Sequence, residues 1–333
     1  MKVCIVGAGA IGAFIGTKLA AAGVDVSALA RGGTLAALRT KGWRLQTAQG
    51  LVQAPARASD NAAELGVQGL VVIAVKGHAL GAAAQSLAPL LDPHTLVLPA
   101  MNGVPWWFCQ GHAGFEAPLE SVDPGGAIGR ALPIEQVVGC VVHAATSTPE
   151  PGLVLHKFGQ GLIIGEPRGE VAGRSERVAR VAALLARAGF DVTHSADVRR
   201  DIWYKLWGNL TMNPVSAITG ATIEQMLADP LVRNFCSGAM AEAAAIGARI
   251  GCPIAQSPED RHAVTAKLGA AKTSMLQDVE AGRAIELDAI VSAVTEIGGR
   301  LTAPALPTPY IDALLGLTRL FARRRGLYPE AGA

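Results

Sequence analysis

The residues Gly7-Ala8-Gly9-Ala10-Ile11-Gly12 constrain this chain more than any others. They follow Val3–Val6, an apolar run of the kind that makes a buried parallel strand. They open an alanine-rich helical stretch that Gly23 stops. Residues 24–29 read as the next strand, so strand, turn, helix and strand fit within about 30 residues. A Gly-x-Gly-x-x-Gly spacing alone is a weak signal, but in this context it predicts a turn built to receive a dinucleotide. Gly7 permits the tight turn, Gly9 lets a pyrophosphate approach the backbone, and Gly12 lets the helix pack close to the strand. The helix N-terminus adds free N–H groups and a partial positive charge. Met1-Lys2 before an apolar stretch also resembles a secretory signal, but the glycine spacing explains the segment better.

The end of the second strand distinguishes the dinucleotides. An NAD site usually carries Asp or Glu there, to hold a ribose 2′-hydroxyl. This chain reads Ser27-Ala28-Leu29-Ala30-Arg31, and Asp25 comes too early. A guanidinium at Arg31 suits a 2′-phosphate, so the expected cofactor is NADP(H). Ligands of an open parallel sheet lie beyond the carboxyl ends of its strands. Lys76 follows a strand expected over 70–75, and Asn102 follows one expected over 96–100. A lysine neutralises phosphate, and an amide both donates and accepts near a nicotinamide or a reacting carbonyl. For both, a strand-end polar residue without a ligand is the alternative.

The strand–helix alternation continues, with a small hairpin around Gly50 and strands over 137–144, 153–156 and 162–165. A helix is expected over 171–188, then a strand near Val192. Beyond Asp197 the texture becomes helical, over about 198–213, 224–228, 231–251, 258–281, 286–299 and 309–325. The fold expected is an α/β Rossmann-type N-terminal domain, residues 1–196, followed by an all-α C-terminal domain, residues 197–333.

The second informative segment runs from Asp201 to Pro214. Lys205, Asn209 and Asn213 are spaced i, i+4, i+8 and share one helix face. Burying such groups unpartnered would cost about 1–3 kcal/mol each, a cost that a polar ligand or a wet cleft removes. The plain alternative is the solvated face of an amphipathic helix. Pro214 disfavours helical geometry at Asn213, which predicts a kink or an end there. In a third stretch, Ser274 and Asp278 are again i, i+4, with Glu286 shortly after. Taken alone this is an ordinary polar face.

Composition narrows the function. Lys+Arg 29 against Asp+Glu 27 gives a net charge of +2, which provides no footprint for nucleic acid. The cluster Arg323-Arg324-Arg325 reads as a solvated helix face, so no membrane partner is expected. Five scattered cysteines without a CxxC fit a reducing, cytoplasmic setting, and seven unclustered histidines offer no metal site.

Taken in order, these residues resemble the ketopantoate reductase family (2-dehydropantoate 2-reductase). The resemblance covers the glycine loop, Arg31, Val75-Lys76, Asn102-Gly103, His143-Ala144-Ala145, Lys205 to Pro214, and Ser274 to Glu286. It implies a Rossmann domain and a helical domain with the site in the cleft between, and NADPH-dependent reduction of 2-dehydropantoate to pantoate on the way to pantothenate and coenzyme A. It further implies that Lys205 is the proton donor, and that Asn102, Lys205, Asn209, Asn213 and Ser274 hold substrate. Gly7, Ala8, Gly9, Ala10, Ile11, Gly12, Arg31, Lys76, Asn102, Ala145 and Glu286 would hold the cofactor. The chain departs from the family at 219–223, which lacks an asparagine that some members carry, and at Met101, where Gln is common. The aromatic run Trp106-Trp107-Phe108 is a further departure, and it leaves open a reductase of a larger or aromatic 2-keto acid. A non-catalytic NADP-binding protein is the rival of another class, though it would have little reason to keep the lysine and both asparagines in register.

A lysine with the ordinary pKa of about 10.4 is charged at neutral pH and can stabilise, then protonate, a developing alkoxide. A homodimer through the helical half is also expected. The stretches 238–247 and 310–320 carry more apolar surface than one side of a surface helix usually does.

Overall fold

The alternating strand and helix signals of the N-terminal region build two sheets, and the helical signals beyond it build a separate body. The computed structural model describes residues 1–169, 174–301 and 306–330. The chain forms two compact units, Met1–Phe108 with Gly125–Asp201, and Cys109–Pro124 with Ile202–Ala333. No helix among the described residues is long and apolar enough to cross a membrane.

In the first unit the chain runs β1 (Val3–Val6), α1 (Ala10–Ala21), β2 (Val26–Leu29), α2 (Gly32–Lys41), β3 (Trp43–Thr47), β4 (Gly50–Ala54), β5 (Arg57–Ser59), β6 (Leu70–Ile73), α3 (Gly77–Gln85) and β7 (Leu96–Pro99). It continues through α4 (Ala127–Ala131), β8 (Gly139–Glu150), β9 (Leu153–Gly165), α5 (Glu176–Arg187) and β10 (Asp191–Ser195). One sheet has the order β5-β2-β1-β6-β7 and is parallel throughout. Its strands β1, β2, β6 and β7 are buried at every position, which is why they read as continuous apolar runs. The second sheet has the order β10-β9-β3-β4, with β8 paired to β9.

Helix α1 touches both sheets. A methyl group built on Gly16 would lie 2.6 Å from the Trp43 ring of β3 and 3.1 Å from Ile5 of β1. A helix covered on two sides has no wet face to show, and residues Gly12 to Thr17 are all buried. The two runs at 153–156 and 162–165, expected as separate strands, are one strand, β9, because β8 pairs along most of its length through irregular register. The helix expected from 171 begins at Glu176, where the Ser175 side chain caps it by accepting from the Val178 N–H. Residues 171–173 lie outside the described residues.

The second unit carries α6 (Val198–Thr219, from Ile202 on), α7 (Ile223–Ala228), α8 (Pro230–Arg249), α9 (Pro258–Ala266), α10 (Ser274–Glu280), α11 (Ala293–Arg300) and α12 (Pro309–Arg324). Two expectations are corrected. Helix α6 does not end at Asn213 but passes through Pro214 to Thr219. An interior proline forfeits one backbone hydrogen bond and costs about 3 kcal/mol. Here Thr211, Val215, Ser216 and Ala217 around it are buried, so packing outweighs that loss. The single helix expected over 258–281 is two helices, because Thr273 caps a new start at Ser274 by accepting from the Leu276 N–H.

Segment Cys109–Pro124, expected in the N-terminal domain, groups with the helices. Glu296 of α11 accepts the backbone N–H groups of Glu120 and Ser121, each at 2.9 Å, and the Ser121 hydroxyl at 2.6 Å. Burial alone would raise the Glu296 carboxyl, but these bonds and Arg300 together hold it below its ordinary value. Arg300 also donates to the carbonyls of Ala117 and Pro118. That clasp joins residues about 175 positions apart in sequence.

Candidate active site

The sheet order reverses at β1, which has β2 on one side and β6 on the other. Such a switch point is where an open parallel sheet leaves a crevice at its carboxyl edge. Gly7 follows β1 with φ +88°, a conformation that favours glycine. A methyl group there would lie 2.6 Å from Val75 Cγ1, so the loops after β1 and β6 touch. A methyl group on Gly12 would lie 2.1 Å from the Gly7 carbonyl oxygen and 3.0 Å from Ile5 Cγ2. By contrast, a methyl group on Gly9 would meet nothing within 4 Å. Gly9 is also the N-cap of α1 and brings no side chain to its N–H groups.

Arg31 follows β2 as the exposed N-cap residue of α2; its carbonyl accepts the Leu35 N–H, and its side chain makes no hydrogen bond or ion pair among the described residues. Lys76 follows β6 as the N-cap of α3, and Asn102 follows β7; both are half-buried. Ala145 belongs to the second sheet, in β8, where the register with β9 shifts on both sides of it. Bulged strand positions commonly re-aim a backbone beside a functional site. These features fit a dinucleotide. The turn opens onto an uncapped helix N-terminus, and a partnerless guanidinium stands just beyond the end of the neighbouring strand β2.

The Trp106-Trp107-Phe108 run belongs to the core. All three side chains are buried, and the Trp106 indole N–H donates to the Leu132 carbonyl at 3.1 Å.

In the helical unit, α6 is anchored by one face. The indoles of Trp203 and Trp207 donate to the α8 carbonyls of Ala243 and Met240, at 3.2 and 2.7 Å. Lys205, Asn209 and Asn213 lie on the opposite side of the helix, turned from α8. Lys205 and Asn209 are half-buried, whereas Asn213 is only 5% exposed. The side-chain amides of Asn209 and Asn213 make no hydrogen bond among the described residues. Ser216, one turn further on the same face, ties the start of α10 to this helix. Its hydroxyl donates to the Asn213 carbonyl at 2.9 Å and lies 2.5 Å from Thr273 Oγ1. Exposed Ser274 is the next residue, so it stands beside the Lys205–Asn213 face.

Ser216 and Thr273 were not visible as site residues in the sequence. The one available signal was a threonine three residues before a buried leucine, a possible helix cap. Glu286 is half-buried, just before a π-helical turn, Asp288–Ser292.

Residues 3–169 match the family model described as ketopantoate reductase PanE/ApbA, and residues 197–322 match the model of its C-terminal part. The chain belongs to the ketopantoate reductase family. It is therefore an oxidoreductase, and its family uses NAD(P). A 2-dehydropantoate 2-reductase of Mesorhizobium japonicum is 45% identical over 334 residues, covering 98% of this chain and 100% of that one. The crystal structure of a protein described as a ketopantoate reductase from Ralstonia solanacearum MolK2 is 52% identical. It covers 98% of this chain and 99% of its own, with a TM-score of 0.92. A PanE/ApbA family ketopantoate reductase from Ralstonia eutropha JMP134 is 28% identical with a TM-score of 0.82, covering 98% of this chain and 100% of its own. As in other members of the family, a Rossmann-type sheet region is followed by a helical region.

Proposed function

We propose that this enzyme reduces 2-dehydropantoate to pantoate with NADPH, a step towards pantothenate and coenzyme A. The observation that carries the reading is the pair of unpartnered amides at Asn209 and Asn213, one of them nearly buried, in register with Lys205. A small oxo acid bearing a hydroxyl and a carboxylate would satisfy them, and an unpartnered polar group buried as Asn213 is costs about 1–3 kcal/mol. The unit of Met1–Phe108 and Gly125–Asp201 acts as the NADP-binding domain, and that of Cys109–Pro124 and Ile202–Ala333 as the substrate and dimerisation domain. The loop Gly7 to Gly12 holds the pyrophosphate, Arg31 the 2′-phosphate, and Lys76, Asn102, Ala145 and Glu286 further parts of the cofactor.

When bound, the reduced nicotinamide supplies a hydride. Lys205 donates a hydrogen bond and then a proton at the ketone oxygen, so that charge gathering there is met as it forms. Asn209 and Asn213 orient the hydroxyl and carbonyl groups, Ser274 takes the carboxylate, and Asn102 touches both substrate and cofactor. The free, buried state of all five cysteines supports a reducing, cytoplasmic setting. Leu231, Leu317 and Leu320, exposed at 79%, 59% and 60%, support a homodimer through the helical unit.

The reading is tested with Lys205→Ala. Turnover should fall by about 10²–10⁴-fold while NADPH affinity stays constant. Near-normal turnover at saturating keto acid would remove Lys205 from the role of proton donor.

A further inference from the structure

Helix α12 ends in a way that returns the chain to Glu286. Gly326 has φ +66°, the Leu327 N–H donates to the Ala322 carbonyl at 2.8 Å, and the Gly326 N–H donates to the Arg323 carbonyl at 2.9 Å. This paired pattern with a left-handed glycine reverses the chain sharply after a helix. The reversed tail then meets the segment on either side of Glu286. Before it, the Ile285 N–H donates to the Leu327 carbonyl at 3.1 Å. After it, the Tyr328 hydroxyl donates to Asp288 Oδ1 at 2.5 Å, an oxygen that also accepts the Ser292 hydroxyl at 2.9 Å. Ile285, Leu287 and Leu327 are all buried, so the bracket has an apolar floor. The Tyr328 ring is held in turn by Arg323, whose guanidinium lies 5.7 Å from the ring centroid and donates to the Pro329 carbonyl at 2.9 Å.

Glu286 thus stands between two tail contacts, just before a π-helical turn. Such turns are seldom stable by themselves and persist where their surroundings fix them. A carboxylate can only accept hydrogen bonds, so towards a polyanionic dinucleotide it serves a hydroxyl or amide group and is repelled by the phosphates. That demands accurate placement. We propose that the tail Gly326–Leu327–Tyr328 is a positioning element for Glu286 and through it sets the affinity for the nicotinamide cofactor. The proposal rests on the reading of Glu286 as a cofactor contact. Burial and then Asp288 push the Tyr328 phenol up to about 12, so the hydroxyl remains a donor across the working pH range.

The test compares Tyr328→Phe, Glu286→Gln and the double variant in the full chain. NADPH dissociation constants, keto-acid KM, kcat and thermal midpoints are measured for each. Tyr328→Phe should weaken NADPH binding about threefold to tenfold, the effect of one buried hydrogen bond. Keto-acid KM, and kcat at saturating NADPH, should change by less than about twofold. Glu286→Gln should weaken NADPH at least as much, and the double variant should be no weaker than Glu286→Gln alone. Asp288→Asn, which keeps the acceptor oxygen, should bind NADPH like the parent, whereas Asp288→Ala should behave like Tyr328→Phe. If Glu286→Gln leaves NADPH binding unchanged, the reading of Glu286 fails and the proposal with it. If Glu286→Gln weakens binding but Tyr328→Phe does not, or the two effects add, the tail has no positioning role. Equal loss of cofactor and keto-acid binding with a lowered thermal midpoint would likewise overturn it, as a purely structural contact.

Discussion

Thr273→Val should separate the substrate site from the cofactor site. Thr273 and Ser216 are both buried. Ser216 has one proton; when it goes to the Asn213 carbonyl, Thr273 donates across the 2.5 Å contact to Ser216 Oγ. Thr273 Oγ1 also accepts the Leu276 N–H at 3.2 Å, as the cap of α10. Valine keeps the shape and removes both bonds. The lost cap costs about 1 kcal/mol. The unsatisfied groups left behind bring the total to about 2–4 kcal/mol, since the two effects share one atom and do not simply add. Asn213 and Ser274 flank the broken link, so keto-acid KM should rise while NADPH affinity holds. Denaturant unfolding and steady-state kinetics of Thr273→Val and Thr273→Ser provide the assay. Serine retains the hydroxyl and should recover most of both losses. Equal stability and equal KM for the two variants would refute the reasoning.

Further outcomes follow from other parts of the molecule. Arg31→Ala should weaken NADPH binding by about 1.5–3 kcal/mol and leave NADH binding nearly unchanged, as titrations with both cofactors would report; equal loss for both would contradict the 2′-phosphate assignment. His262 is buried with Nε2 3.0 Å from the Ser237 hydroxyl and Nδ1 unpartnered, and burial lowers it from its ordinary 6.5, aided by Arg233 and opposed by Glu259. The unfolded chain therefore takes up this proton first as pH falls below 6.5, and stability is lost over that window. Thermal midpoints of His262→Gln should fall less steeply between pH 6.5 and about 5 than those of the parent, and an unchanged slope would argue against a buried neutral imidazole. Light scattering across a wide dilution range should give twice the chain mass, and a single-chain mass at micromolar concentration would return Leu317 and Leu320 to an ordinary surface.

Local pattern made part of this molecule readable. The glycine loop, Arg31 and the strand ends depend on a few neighbouring residues and on one rule of open parallel sheets, so they stand out in the chain. The Lys205–Asn209–Asn213 face was legible because helical periodicity alone brings those residues together. What escaped the sequence depends on tertiary partners. Pro214 signals a helix break, and only the buried residues packed around it explain why α6 continues to Thr219. Ser216 and Thr273 lie 57 residues apart, and no periodicity joins them. The attachment of Cys109–Pro124 to the helical unit runs through Glu296 and Arg300, whose partners no local signal identifies. The aromatic run at 106–108 marks the same limit from the other side, because composition alone does not reveal that all three side chains are buried.

The central claim is tested most directly by following loss of NADPH absorbance with a panel of 2-keto acids, 2-dehydropantoate included, and repeating the best case with NADH. The account predicts the highest kcat/KM for 2-dehydropantoate, with NADPH preferred over NADH. A clear preference for an aromatic or larger keto acid, or no oxidation of NADPH with any of them, would contradict it.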